Sequence, residues 1–183
     1  MPSVPIVWTD DPEANKLLET DPLALLIGLV LDQQVKMEKA FGGPYELKRR
    51  LGHLEARKIA AMDPATLDAV FRERPALHRF PGSMAKRVQA LCQAVVEEYG
   101  GDAAAVWRDA RDADDLAARI KKLPGFGEMK VKILVSVLAK KFGVKPPGWE
   151  KHAAQWHTVA DVDSVESMAE ARQVKREMKR AKH

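Results

Sequence analysis

Apolar residues recur along most of this chain at intervals of three and four, with acids and prolines heading each run and glycines ending several of them. Asp11-Pro12 opens a short helix that carries Leu17 and Leu18. Asp21-Pro22 opens the next, with Asp at the N-cap and Pro at the first helical position. From Leu23 to Leu31 that helix is apolar almost all round, which predicts a place at the centre of a bundle rather than on its surface. Gly42-Gly43-Pro44 is predicted to break the following segment, and Tyr45, Leu47 and Leu51 resume it as a helix closed by Gly52. Further helices are predicted over Leu54 to Ala61, Pro64 to Arg72, Ser83 to Tyr99 and Ala103 to Ala110. Val4 to Thr9 is the one stretch with strand character, and Pro5 keeps it from being a central strand. An all-α fold follows, with Val144-Lys145-Pro146-Pro147-Gly148 as a stiff break before the C-terminal region.

The pattern is sharpest on either side of Leu123-Pro124-Gly125-Phe126-Gly127. Upstream, Leu116, Ala117, Ile120 and Leu123 keep a helical spacing behind the acids Asp112, Asp114 and Asp115. Downstream, Val131, Leu134, Val135, Leu138 and Phe142 repeat the same period until Gly143 ends it. The prediction is a helix-hairpin-helix over residues 112–142. A turn this tight needs positive φ, which glycine adopts without Cβ strain. Without side chains at Gly125 and Gly127, the first N–H groups of the second helix are uncovered at its positive dipole end, which makes a phosphate seat. Lys130 and Lys132, one turn in, add charge beside it. The plainer reading is an αα-hairpin whose glycines only permit the turn.

Composition narrows the class. A chain of 183 residues with 46% hydrophobic content can bury one core or two small lobes. No apolar run approaches the length of a membrane span, and Met1 to Asp11 lacks a charged start and apolar stretch, so the expectation is an intracellular, cytoplasmic protein. Cys92 is alone and shares an apolar helix face with Val88, Leu91 and Val95, which reads as core; one cysteine makes no disulfide, no paired-cysteine zinc site and no four-cysteine iron–sulfur cluster. His53, His152 and His157 have no metal-ligand spacing, so no catalytic metal is expected. The net charge of +4 is uneven: Arg172, Lys175, Arg176, Lys179, Arg180 and Lys182 against Glu177 make residues 172–183 a basic tail, leaving residues 1–171 close to neutral. If all six cations neutralised phosphates they would contribute roughly −5 to the slope of log K against log salt. The alternative is a solvated helical end that keeps the chain soluble.

Three stretches in order carry a resemblance. Leu123-Pro124-Gly125-Phe126-Gly127, with a basic residue just after it, is similar to the hairpin of the helix-hairpin-helix (HhH-GPD) glycosylase superfamily of base-excision repair. Asp21 to Val35, closing on Gln33-Gln34, is similar to that family's first core helix, and Gly82-Ser83-Met84-Ala85-Lys86-Arg87-Val88 resembles its Gly…Lys-Ala-basic helix. The resemblance implies a two-lobed helical bundle made by the whole of residues 1–183, its lobes interleaved in sequence, bound to double-stranded DNA across a cleft and close to the nucleoid. It also implies a monomer and a structural alkali ion held by hairpin carbonyls, while the iron–sulfur cluster that several relatives carry is excluded here by the single cysteine.

The implied reaction is hydrolysis of the N-glycosidic bond of a damaged base, alkylated or deaminated. The sugar develops positive charge as the base leaves, and a nearby carboxylate stabilises it and orients water. The family places an Asp for this soon after the second hairpin helix. Here the stretch reads Pro147-Gly148-Trp149-Glu150-Lys151-His152, and Glu150, the one carboxylate between Glu128 and Asp161, is the candidate. Glu is one methylene longer, and a misplacement of about 1 Å can lose roughly a hundredfold in rate. Members that also cut the strand use a Lys as amine nucleophile where Met129 stands here, with Lys130 about 100° further round the helix, so efficient lyase activity is not expected. Met129 then lines the lesion pocket or packs. Gln33 or Gln34 is the residue that fills the gap left by the flipped base, or else caps the helix end. Lys86 and Arg87 reach the DNA backbone, as His78 and Arg79 can. Tyr45 and Trp149 are placed in the base pocket, with Phe41 and Trp156 as further aromatics, against a reading of all four as core. A DNA- or lesion-binding protein that keeps the fold without base excision is the alternative function, favoured by the missing Asp and Lys; a protein-interaction module is a third.

Overall fold

The structure, a computed structural model, describes residues 4–181; Lys182, the last cation of the basic tail, lies outside the described residues. Among the described residues there are ten helices: α1 (Pro12–Thr20), α2 (Pro22–Leu31), α3 (Met37–Leu51), α4 (Ala56–Ala61), α5 (Pro64–Arg72), α6 (Pro81–Tyr99), α7 (Ala105–Arg108), α8 (Ala113–Lys121), α9 (Glu128–Phe142) and α10 (Val165–Ala181). Two 3-10 turns, Trp149–His152 and Val159–Asp161, lie between α9 and α10. The fold is all-α, and no described helix is long and apolar enough to cross a membrane. Val4 to Thr9 forms no strand. It runs extended, with Ile6 and Trp8 buried, Ile6 N–H donating to Glu19 Oε1 at 2.8 Å and Val4 N–H donating to Lys141 O at 3.3 Å. Its apolar residues serve a core contact instead of a ladder.

The helix starts follow from the aspartates. Asp11, Asp21, Asp63 and Asp112 each accept a backbone N–H in the first turn of α1, α2, α5 and α8, which would otherwise have no partner. Glycine closes α3, α6 and α9 in the left-handed conformation, at Gly52, Gly100 and Gly143.

Helix α2 is buried along its length from Leu23 to Leu31. It packs on α1, α3 and α6, while α4 and α5 lie on α6, α8 lies on α9, and both 3-10 turns rest on α9, the second carrying α10. Two glycines set how close α2 and α3 come: a Cβ on Gly28 would stand 2.8 Å from Phe41 Cδ1, and one on Gly43 would stand 2.5 Å from Leu31 Cδ1. The expected break at Gly42-Gly43-Pro44 does not occur, for α3 runs straight through Pro44. Pro44 leaves the Ala40 carbonyl without its helical donor, at a cost of about 3 kcal/mol. Fully burying Phe41 and Leu47, which flank the proline, returns roughly 1.5–3 kcal/mol each, so the helix persists.

Candidate functional site

The hairpin between α8 and α9 is closed by Leu123 N–H donating to Ile120 O and Phe126 N–H donating to Leu123 O, with Leu123 and Phe126 buried beneath it. The two glycines differ. Gly125 has φ +89° and its missing Cβ would press Val30 Cγ2 at 3.2 Å, so its bareness serves both the turn and the contact with α2. Gly127, the N-cap of α9, has extended backbone and open space where a Cβ would stand. Among the described residues no side chain caps α9, and Gly127 and Glu128 are exposed, which leaves the first turn open at the positive dipole end. The side chains from Leu123 to Gly127 carry no oxygen, so a hard cation here would meet neutral backbone carbonyls, a set that suits a singly charged ion.

The C-terminal end of α2 meets side chains from several other elements. The Lys130 ammonium, from α9, donates to Leu29 O and to Asp32 O, the latter at 2.7 Å. Buried His78 sits with Nε2 at 3.0 Å from Leu31 O and 3.1 Å from Gln33 O, while its Nδ1 accepts from Phe80 N–H at 2.9 Å. That pairing requires the proton on Nε2. Arg87 donates to Gln33 Oε1 at 2.7 Å, and Gln33 Nε2 donates back to Val30 O at 2.8 Å. Gln33 is therefore a helix-end cap held from three sides. Gln34, next along, is exposed and holds φ +56°, a conformation a non-glycine residue adopts at some cost. Desolvation pushes Lys130 down to about 8 despite the Asp32 carboxylate, and Lys175 adds to the effect. Burial likewise lowers His78, with the two carbonyls opposing.

A cavity of about 320 Å³ opens at this helix end, within the range of small-ligand sites, roughly 300–1,000 Å³. Asp32, Gln33 and Gln34 form one side, Met129, Lys130 and Ile133 of α9 another, the chain from Trp156 to Val159 a third, and Ala171, Lys175, Met178 and Lys179 of α10 cover it. The lining is predominantly apolar. Asp32, 8% exposed, accepts from the Lys175 ammonium at 2.8 Å. His157 pairs by Nε2 with Glu170, and its Nδ1 is buried with no hydrogen-bond partner among the described residues.

Of the residues singled out from the sequence, the fold brings Gln33, Gln34, Met129 and Lys130 to this one cavity, and Arg87 to its edge through Gln33. Lys86 stands exposed on α6, Lys132 half-buried on α9, and Tyr45 half-buried on α3 against the core. Trp149 and Glu150 do not line the cavity. Their 3-10 turn rests on α8 and α9 and is fastened by His152 and Lys151, at 2.6 and 3.3 Å from Asp114, whose carboxyl these partners hold below its ordinary range, His152 most strongly. As walls of a cavity, Asp32, His157 and the cover from α10 escaped sequence reasoning: Asp32 stood unremarked in the stretch that closes on Gln33-Gln34, His157 was weighed only as a metal ligand and Lys175 and Lys179 only as tail cations, and each becomes a wall only through packing. Trp156, which does line the cavity, stood there as one of several aromatics.

An all-helical chain with a glycine hairpin seated against a buried core helix, and a cavity at their junction, belongs to a recognisable class. The family described as HhH-GPD superfamily base excision DNA repair protein matches residues 27–182, and the chain belongs to that superfamily. Membership makes base excision DNA repair its field and DNA its partner. No curated protein and no solved structure matches the chain.

Proposed function

We propose that the chain is a monofunctional DNA glycosylase that hydrolyses the N-glycosidic bond of a damaged base, alkylated or deaminated, turned out of the duplex into the cavity. The observation that carries this reading is the position of the cavity: it lies at the junction of the Gln33-Gln34 turn with the first turns of α9, the helix that follows the hairpin. A phosphate on the α9 N-terminus at Gly125 and Gly127 would fix the strand beside the cavity mouth. Exposed Gln34, on a turn braced by His78 and Arg87, is the group placed to fill the gap in the stack. An apolar wall from Met129, Ile133, Trp156 and Met178 fits a base lifted from stacking. Met129 stands where strand-cutting relatives carry their amine, which supports hydrolysis without strand cleavage.

The alternative, a lesion-binding protein without base excision, draws on the exposed position of Glu150 away from the cavity. Base release from a panel of alkylated, deaminated and oxidised duplexes separates the two. Release from one lesion class, without strand cutting, is expected. No release from any lesion, with tight binding to an abasic-site analogue, would make the binding protein the better reading.

A further inference from the structure

Resting on the glycosylase reading, the geometry points to Asp32, at the C-terminal end of α2, as the carboxylate that stabilises the sugar cation and handles the proton of water. Among the described lining residues it is the one acid of the cavity. Glu38 and Glu170 pair with Arg172 and His157 and do not line it, and Glu150 lies on the turn fastened to Asp114.

Asp32 is also held as a catalytic group must be. Its backbone N–H donates to Gly28 O at 3.0 Å and its carbonyl accepts from Lys130, so the main chain beneath the carboxylate is fixed at both ends. Lys175, reaching from α10, orients one carboxylate oxygen. That cation belongs to the helix that carries the basic tail. Phosphates entering beside α10 compete for Lys175, which leaves the carboxylate to the sugar once DNA is in place. A buried carboxylate facing a developing cation in a water-poor site is worth far more than one in solvent. The C1′–N bond breaks with its electron pair passing to the base, water oxygen forms the new C1′–O bond, and the proton water loses travels through the Asp32 carboxylate to the departing base.

The test uses the full chain and three duplexes: undamaged, one with a neutral tetrahydrofuran abasic analogue, and one with a cationic pyrrolidine analogue that mimics the charged sugar. Wild type is expected to bind the pyrrolidine duplex at least roughly tenfold more tightly than the tetrahydrofuran duplex. Asp32→Asn, which keeps an oxygen for Lys175, should bring that ratio close to one while tetrahydrofuran binding, the check on folding, holds. Glu38→Gln, which removes another of the ion pairs docking α10, should leave the ratio in place. Should Asp32→Asn fail to fold, Asp32→Glu carries the test, with a reduced ratio expected. A wild type that binds both analogues equally, yet better than undamaged DNA, overturns the role of Asp32 and leaves lesion recognition standing. A preference that survives Asp32→Asn and is lost in Glu150→Gln overturns it too. Failure to distinguish any analogue from undamaged duplex would sink the glycosylase reading itself.

Discussion

At the scale of single residues, Lys130 shows most clearly how a charge can be turned to an unexpected use. Its position one turn into α9 suggested a phosphate contact, whereas its ammonium donates to the carbonyls of Leu29 and Asp32 at the end of α2. Burial lowers its pKa to about 8, below its ordinary 10.5. Between those values the unfolded chain binds a proton that the native chain does not, so this group adds stability as pH rises through 8. Comparing wild type with Lys130→Met by urea unfolding at pH 7.5 and 9.5, we expect wild type to gain about 2 kcal/mol relative to the variant. Buried Cys92, pushed up to about 12, works in the opposite direction as the unfolded thiol ionises, but it is present in both proteins and cancels in the difference. An equal pH response in the two proteins would show that the ammonium is solvated.

At the scale of elements, the hairpin assigns different work to its two glycines. Gly125 is required by backbone conformation and by the Val30 contact, and Gly127 by neither. Gly125→Ala is expected to cost about 1–2 kcal/mol in a thermal or urea melt. Gly127→Ala should cost less than about 1 kcal/mol, yet weaken duplex binding because a methyl group then covers the exposed N–H groups. If Gly127→Ala bound DNA like wild type, the hairpin would be a turn and no phosphate seat.

On the scale of the whole molecule, the charge distribution is not that of a free tail. The basic segment is helix α10, docked through Met168 and Ala171, with Arg172 on Glu38 and Lys175 on Asp32. Arg176 and Arg180 stay exposed beside the cavity cover, to which exposed Lys179 belongs. Replacing those three with Ala should flatten the slope of log K against log salt by about three, from the phosphates they neutralise. Arg172→Ala should change that slope by less than one and lower the melting temperature instead. Loss of slope in both variants alike would mean that α10 comes off the body when DNA binds.

The all-α class, the central place of α2, the helix starts at Asp11, Asp21 and Asp112 and the Gly125 turn were legible in the chain, because capping, helical period and positive φ are local properties. Family membership was legible too, since the three stretches that carry it keep their order along the chain. The continuation of α3 through Pro44 was not, because burial of Phe41 against α2 and of Leu47 in the core outweighs a local penalty. Nor was the extended course of Val4 to Thr9, whose partner is the core and not another strand. The cavity belongs wholly to tertiary structure: Asp32, Met129, His157 and Lys175 are separated by most of the chain, and only the packing of α2, α9 and α10 gives them a common wall.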